Sequence, residues 1–447
     1  MRSLATVTVG MVLVLMVGAC SDAGDLAAYP TITGSTSTAV TSTSRATTAA
    51  QTTPTGESEP PPAGGSGAMT MSQTLSDNAQ EMTIAFDALA FLTGSLGSDS
   101  FFPPGKVADF WGFQYLRDND LSGMGHNTDF LTKAALNMLN ILTADQRTQL
   151  VSLAEGQVDS INNYGYRRFV LMTAFRRLLE GDLPAGTTGL DEDAVKDFSA
   201  ELYHLDGQIS FERAQVMGDI LHNLTPDQEA SLDEMVGLGM TSWPNVDEPA
   251  ELRSLSGDEK VAVMTYAGDL FSWYAGSLEA DVYFCPERQG TYFGSFYMKD
   301  APAVGNPGYS IGTNITADMG QAFIEALTPE QAQLITDLVD TQRPDLTGIV
   351  EVRTQVSTEL RKFIAGESVD EATVLSLMET YGELDGSIVY SFATNFAQVA
   401  QSLTDTQRAQ LMELRHQTLG DFTPQAAFLY AQPIDFPQVP STDFLFR

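Results

Sequence analysis

From about residue 77 onward, apolar residues recur at helical spacing through most of the chain. Phe130, Leu131, Ala134, Ala135, Met138, Leu139 and Leu142 fall on one face of a helix. Phe211, Ala214, Gly218, Leu221 and Leu224 do the same, with Gln215 among them. No stretch alternates apolar and polar residues for long enough to demand a sheet, so the pattern predicts an all-α protein. Between Phe101 and Gly125 the periodicity gives way to Gly, Pro and aromatic residues, which predicts a long ordered loop.

One local pattern occurs four times at the predicted helix starts. The copies are Leu142-Thr143-Ala144-Asp145-Gln146, Leu224-Thr225-Pro226-Asp227-Gln228, Leu327-Thr328-Pro329-Glu330-Gln331 and Leu403-Thr404-Asp405-Thr406-Gln407. Leu150, Leu232, Ile335 and Leu411 follow at a constant distance. A Thr with Gln three residues later is a capping box. The hydroxyl accepts from the third amide of the helix, and the Gln side chain reaches back to the Thr amide. Pro226 and Pro329 stand at the first helical position, where a missing N–H costs nothing. Asp145, Asp227 and Glu330 put negative charge in the first turn, which suits the helix dipole. The opening Leu ends the previous helix and packs across the joint. A tight helix–helix turn thus accounts for the whole motif, and no ligand is needed to explain it.

The four motifs belong to two copies of one unit. Met82-Thr83, Ala85 and Asp87 recur 182 positions later as Met264-Thr265, Ala267 and Asp269. At the same offset, Trp111-Gly112, Tyr115 and Arg117-Asp118 match Phe293-Gly294, Tyr297 and Lys299-Asp300. Further along, Arg176-Arg177 faces Arg361-Lys362, and Leu205-Asp206-Gly207 faces Leu384-Asp385-Gly386. The first copy carries about six extra residues near Pro184-Ala185-Gly186-Thr187-Thr188-Gly189, as a loop insertion would. The fold expected is therefore two tandem homologous helical domains built from antiparallel helical hairpins. They span residues 77–240 and 256–430, each with two motifs, joined by a linker at 241–255 and followed by an irregular tail at 431–447. Each copy, at roughly 160 residues, is large enough to close its own core.

The ends and the charge place the protein. Arg2 and the short apolar run Val9 to Val17 make residues 1–19 an export signal, too short for a comfortable membrane span. It ends in Val17-Gly18-Ala19-Cys20, which resembles a bacterial lipobox and implies acylation of Cys20. Residues 20–76 are dominated by Ser, Thr, Ala, Pro and Gly and bury too little to offset ordering, so a disordered tether is expected. At ~50 residues it would hold a domain on the order of 40 Å from the membrane. The formal charge of −35 opposes nucleic acid and anionic membrane surfaces and favours solubility. Cys20 and Cys285 are the two cysteines, and an acylated Cys20 leaves Cys285 without an intrachain partner. Cys285 follows Tyr283-Phe284, the setting of a buried small hydrophobe rather than a nucleophile.

The repeated Leu-Thr-x-x-Gln resembles the signature of the Spy/CpxP family of periplasmic proteins, also called the LTXXQ family. Those proteins are small helical cradles, usually dimeric, that bind unfolded clients or sense envelope stress without ATP, and one branch binds zinc. The resemblance implies an envelope address, here a periplasmic or outer-membrane lipoprotein. Its partners would be unfolded or partner proteins of the cell envelope, its only membrane contact a lipid anchor, and it would use no cofactor. This chain departs from the family in fusing two pairs of motifs, in its acidic charge and in lacking a His- or Cys-rich tail. One duplicated chain would supply the two halves that family members obtain by dimerising.

Candidate sites outside the motifs are few. His126, in Gly123-Met124-Gly125-His126-Asn127, could bind a metal, but its counterpart in the second copy is Tyr309. His204, His222 and His416 show no metal-ligand spacing. Asp118 and Asp300 are paired acids or turn caps. Arg176-Arg177 and Arg361-Lys362 receive an anion or complement a helix end before Gly181 and Gly366. Asp206-Gly207 and Asp385-Gly386 mark a helix break or a close helix crossing. The aromatic groups after the first helix of each copy pack in the core or form a hydrophobic contact surface centred on Trp111, Tyr115, Phe293 and Tyr297. No His-Glu-x-x-His, Walker loop or Cys-x-x-Cys is present, and no enzyme is expected. The reading is an exported, lipid-anchored helical binding protein with a Spy/CpxP-like chaperone or envelope-stress role. The alternatives are a structural or adhesive envelope lipoprotein and a metal-sequestering protein.

Overall fold

A computed structural model describes residues 77–94, 129–238, 243–275, 314–419, 427–429, 432–434 and 438–447. The signal segment with Cys20, the tether, and the aromatic stretches on either side of Trp111 and Phe293 lie outside the described residues. The protein is all-α. The first half of the chain supplies α1 (Asp77–Thr93), α2 (Asp129–Ile141), α3 (Ala144–Glu180), α4 (Glu192–His222) and α5 (Pro226–Leu238). The second half supplies α6 (Gly257–Ala275), α7 (Asn314–Glu325), α8 (Pro329–Thr336), α9 (Leu338–Arg361), α10 (Glu371–Ser402) and α11 (Asp405–Leu419). Strands β1 (Ala427–Leu429) and β2 (Gln432–Ile434) pair antiparallel after α11, with Phe428 opposite Pro433. Among the described residues, no helix is long and apolar enough to cross a membrane.

Helices α4 and α10 pack against each other along much of their length and form the centre of the body. Their backbones come close because glycines line the crossing. A Cβ on Gly382 would lie 2.7 Å from Ala200 Cα, and one on Gly386 would lie 2.7 Å from Lys196 Cα. One on Gly207 would meet Met378 Cβ at 3.0 Å. The Asp-Gly pairs therefore mark a close crossing within unbroken helices.

The outer helices do not sort by position in the sequence. Helix α1 packs on α7, α8, α9, α10 and α11, all from the second half. Helix α6 packs on α2, α3, α4 and α5, all from the first. The first helix of each half is thus surrounded mainly by the other, and one apolar cluster runs through both. The expectation that each copy closes its own core does not hold, for a physical reason. In α1 Ile84, Ala85, Phe86, Ala88, Leu89, Ala90 and Phe91 are all buried, leaving almost no solvent face. A helix that apolar all round must be enclosed by several neighbours.

The residues between the halves bind to the first half as a strap. Trp243 donates from Nε1 to Met235 O at 2.7 Å, Asn137 donates to Pro244 O at 3.0 Å and Asn140 to Asp247 O at 3.0 Å. The matched long helices differ: α3 runs unbroken for 37 residues, whereas α8 and α9 are separated at Asp337, and α9 carries Pro344 inside it. The chain's last residues, expected to be irregular, form a 3-10 turn at Asp443–Leu445 that packs on α4 and buries Leu445 completely.

Candidate functional site

All four motifs form the full capping box. The Thr amide donates to the Gln Oε1 at 2.9–3.0 Å, and the Gln amide donates to the Thr Oγ1 at 3.2–3.3 Å. The residues that follow at constant spacing, Leu150, Leu232, Ile335 and Leu411, lie in the core. Of the opening leucines, Leu142 is buried and Leu224, Leu327 and Leu403 are half-buried against the cluster.

The glutamines do more than cap. Gln228 Nε2 donates to Gln146 Oε1 at 2.8 Å, and Gln407 Nε2 donates to Gln331 Oε1 at 2.6 Å. The two motifs of each half are therefore clasped to one another. Three of the glutamine amides also reach helix ends: Gln228 to Ile141 O at 3.0 Å, Gln407 to Ala326 O at 3.2 Å and Gln331 to Ser402 O at 3.0 Å. One side chain thus closes a helix start, quiets an orphan carbonyl at a helix end and joins two turns. Arg147, directly after the first motif, adds bonds to Leu139 O and Leu142 O and an ion pair with Glu251 at 2.7 Å. Arg408, after the fourth, donates to Ala400 O. Gln146, Gln228 and Gln331 are buried and Gln407 is half-buried, so these groups are committed inside the protein.

The basic pairs are likewise engaged. Arg176 lies 4.8 Å from the Phe91 ring centroid and donates to Phe91 O at 3.3 Å. Arg361 lies 5.7 Å from the Trp273 ring and donates to Trp273 O at 3.2 Å. Both therefore grip the last turn of a first helix, α1 or α6, just before the chain enters an aromatic stretch. Arg415 adds a bond to Ala90 O at 3.2 Å. Arg177 instead meets Asp182 and the C-terminal residues Thr442 and Asp443, and Lys362 pairs with Glu359.

A polar seam lies beside the α4–α10 crossing. Arg213 and Asp269 form a pair at 3.3 Å with both side chains fully buried. Burial pushes the Asp269 carboxyl up to about 7, against the pull of Arg213. Asp385 accepts from Tyr203 Oη at 2.5 Å, and the Tyr203 ring packs 4.7 Å from that of Tyr381. Gln157 accepts from Tyr266 Oη at 2.7 Å and donates to Ile209 O at 3.1 Å and Glu212 at 2.8 Å. Sequence reasoning missed this seam, although it left a signal. Buried Gln157 and Arg168 recur 185 positions later as buried Gln342 and Arg353, polar residues at matched places within apolar faces.

His204 pairs with Glu379 at 2.7 Å, His222 contacts Ile364 O at 3.0 Å, and His416 is exposed on α11. Among the described residues, no group of three or more His, Cys, Asp or Glu side chains could hold a metal ion. His126, Asp118, Asp300, Cys285 and the contact-surface residues Trp111, Tyr115, Phe293 and Tyr297 lie outside the described residues. No family model, curated protein or solved structure matches this chain.

Proposed function

We propose that the chain is an exported, lipid-anchored helical binding protein of Spy/CpxP type, holding segments of unfolded or partner envelope proteins without ATP. Its body is an internal duplication of helical hairpins in which the two copies exchange their first helices. The matched glutamine clasps, the matched grips of Arg176 and Arg361 and the paired Asp-Gly crossing support that reading.

The observation that carries the function is the placing of apolar surface. Among the described residues the large hydrophobic side chains left exposed are Tyr166, Met412 and Phe444, and the motif glutamines face inward. Client contact then falls to the aromatic stretches that leave α1 and α6, centred on Trp111, Tyr115, Phe293 and Tyr297. Arginines fix the helix turns that precede those stretches in the chain. The test is light scattering of an unfolded model client with the tether-free protein at stoichiometric ratio. Slowed aggregation across a range of salt is expected, and no slowing at any salt would remove the chaperone reading.

The same scarcity of exposed apolar groups favours a second reading, a stalked structural or adhesive component whose polar head serves as a scaffold. Cell-surface or peptidoglycan retention of the mature protein, without any effect on client aggregation, would decide for it.

A further inference from the structure

The C-terminal residues bind the body as a peptide ligand would. Residue Phe446 forms an antiparallel bridge with Leu190. Asp191 N donates to Leu445 O at 2.8 Å, Arg447 N to Gly189 O at 3.0 Å, and Thr188 N to Arg447 O at 2.6 Å. Side chains add selectivity. Leu445 is fully buried, and Phe446 lies 5.1 Å beneath the Arg177 guanidinium. Arg177 also donates to Thr442 Oγ1 at 2.9 Å and pairs with Asp443 at 2.8 Å, which holds the Asp443 carboxyl below its ordinary range. Phe444 packs on Phe198 at 5.9 Å while staying 54% exposed.

The receiving surface is built from the end of α3, the first turns of α4 and the loop between them. Gly181 ends α3 in the left-handed conformation, and a turn closed by Thr187 N on Pro184 O at 3.1 Å presents Thr188 to Asp191 edge-on. This loop contains the residues by which the first half exceeds the second. The matching joint of the second half is filled differently: Phe363 lies against Gly218, and Ile364 O faces His222. Main-chain pairing supplies sequence-tolerant affinity, and side-chain seats select the segment, the logic of strand addition.

We propose that residues 177–198 form a peptide-docking groove that takes a segment of the pattern acid–aromatic–leucine–aromatic, turned over its first three residues and extended after them, and that residues 442–447 occupy it as a resident ligand. The groove does not depend on the function proposed above. Being tethered, the resident segment has an effective concentration on the order of millimolar, so an outside segment competes poorly until it is removed.

The test uses the chain lacking residues 441–447 and a fluorescent peptide of residues 439–447, followed by anisotropy. Saturable one-to-one binding to the truncated chain is expected, with binding to the full chain weaker by about tenfold or more. Arg177→Ala in the truncated chain, or Leu445→Asp in the peptide, should each weaken binding by about tenfold or more. No binding to a folded truncated chain, or equal binding of the Leu445→Asp peptide, would overturn the proposal. Should truncation prevent folding, a protease site inserted between residues 437 and 438 of the full chain allows cleavage after folding. The cut segment should remain bound and then exchange for labelled peptide in excess; failure to exchange, or release without rebinding, overturns the groove.

Discussion

Two kinds of joint connect the helices, and they differ in how they are closed. The four Leu-Thr-x-x-Gln turns share one geometry and are closed by their own side chains. The joints after α3 and α9 start alike, with Gly181 and Gly366 at φ 76° and 72°, and then diverge. The first receives the C-terminal residues, whereas the second receives the end of α4 through Gly218 and His222. A turn that satisfies its own polar groups is repeated faithfully. A joint left open is completed by whatever the tertiary structure brings to it.

The polar seam belongs to neither kind of joint and sets the upper end of the scale. Above pH 7, where Asp269 is ionised, Arg213→Ala would leave it buried without its charge partner and should cost about 3–5 kcal/mol in urea unfolding, more than any change at a joint. The same pair predicts a pH dependence. The folded-state pKa of Asp269, about 7, lies above its unfolded value, so the native state keeps a proton that the unfolded chain has lost. That contribution to stability is fully present below about pH 4 and is lost as pH rises to about 7. Asp269→Asn should therefore gain on the parent chain across that window and show a constant difference above it, read from urea midpoints against pH.

At the motif turns, Gln228→Ala removes a cap and the clasp to Gln146 together, for a loss of about 2–3 kcal/mol. Gln407→Ala should cost a similar amount, because its bonds match those of Gln228. A large difference between the two would break the equivalence of the turns. At the open joints the opposite is expected. A Cβ at Gly366 would lie 2.8 Å from His222 Cε1, so Gly366→Ala adds crowding to a strained φ and should cost about 2–3 kcal/mol. Gly181 has nothing within 4 Å of such a Cβ, and Gly181→Ala should cost only about 1 kcal/mol. Thermal unfolding of the two variants compares them directly.

What could be read from the sequence follows the same division. The capping boxes lie within three residues, and their geometry follows from Thr143 and Gln146 alone. The Gln228–Gln146 clasp spans 82 positions, so no local rule signals it. Arg176 and Arg361 stood out as basic residues near helix ends, but the ends they hold belong to α1 and α6 rather than to their own helices. The exchange of α1 and α6 was hidden because apolar spacing shows which face is buried and not which helix covers it. The docking of Leu445 was hidden for another reason, since a Pro-rich tail carries no periodicity from which a partner could be inferred.

The proposed function separates a clasped helical frame from the aromatic stretches around Trp111 and Phe293, and gives client binding to the stretches. Its most direct test is client aggregation with the tether-free protein beside a variant carrying Trp111→Ser, Tyr115→Ser, Phe293→Ser and Tyr297→Ser. The parent protein should slow aggregation at stoichiometric ratio, and the variant should lose most of that effect while keeping its helical circular dichroism. Equal protection by a folded variant, or none by the parent, would contradict the account.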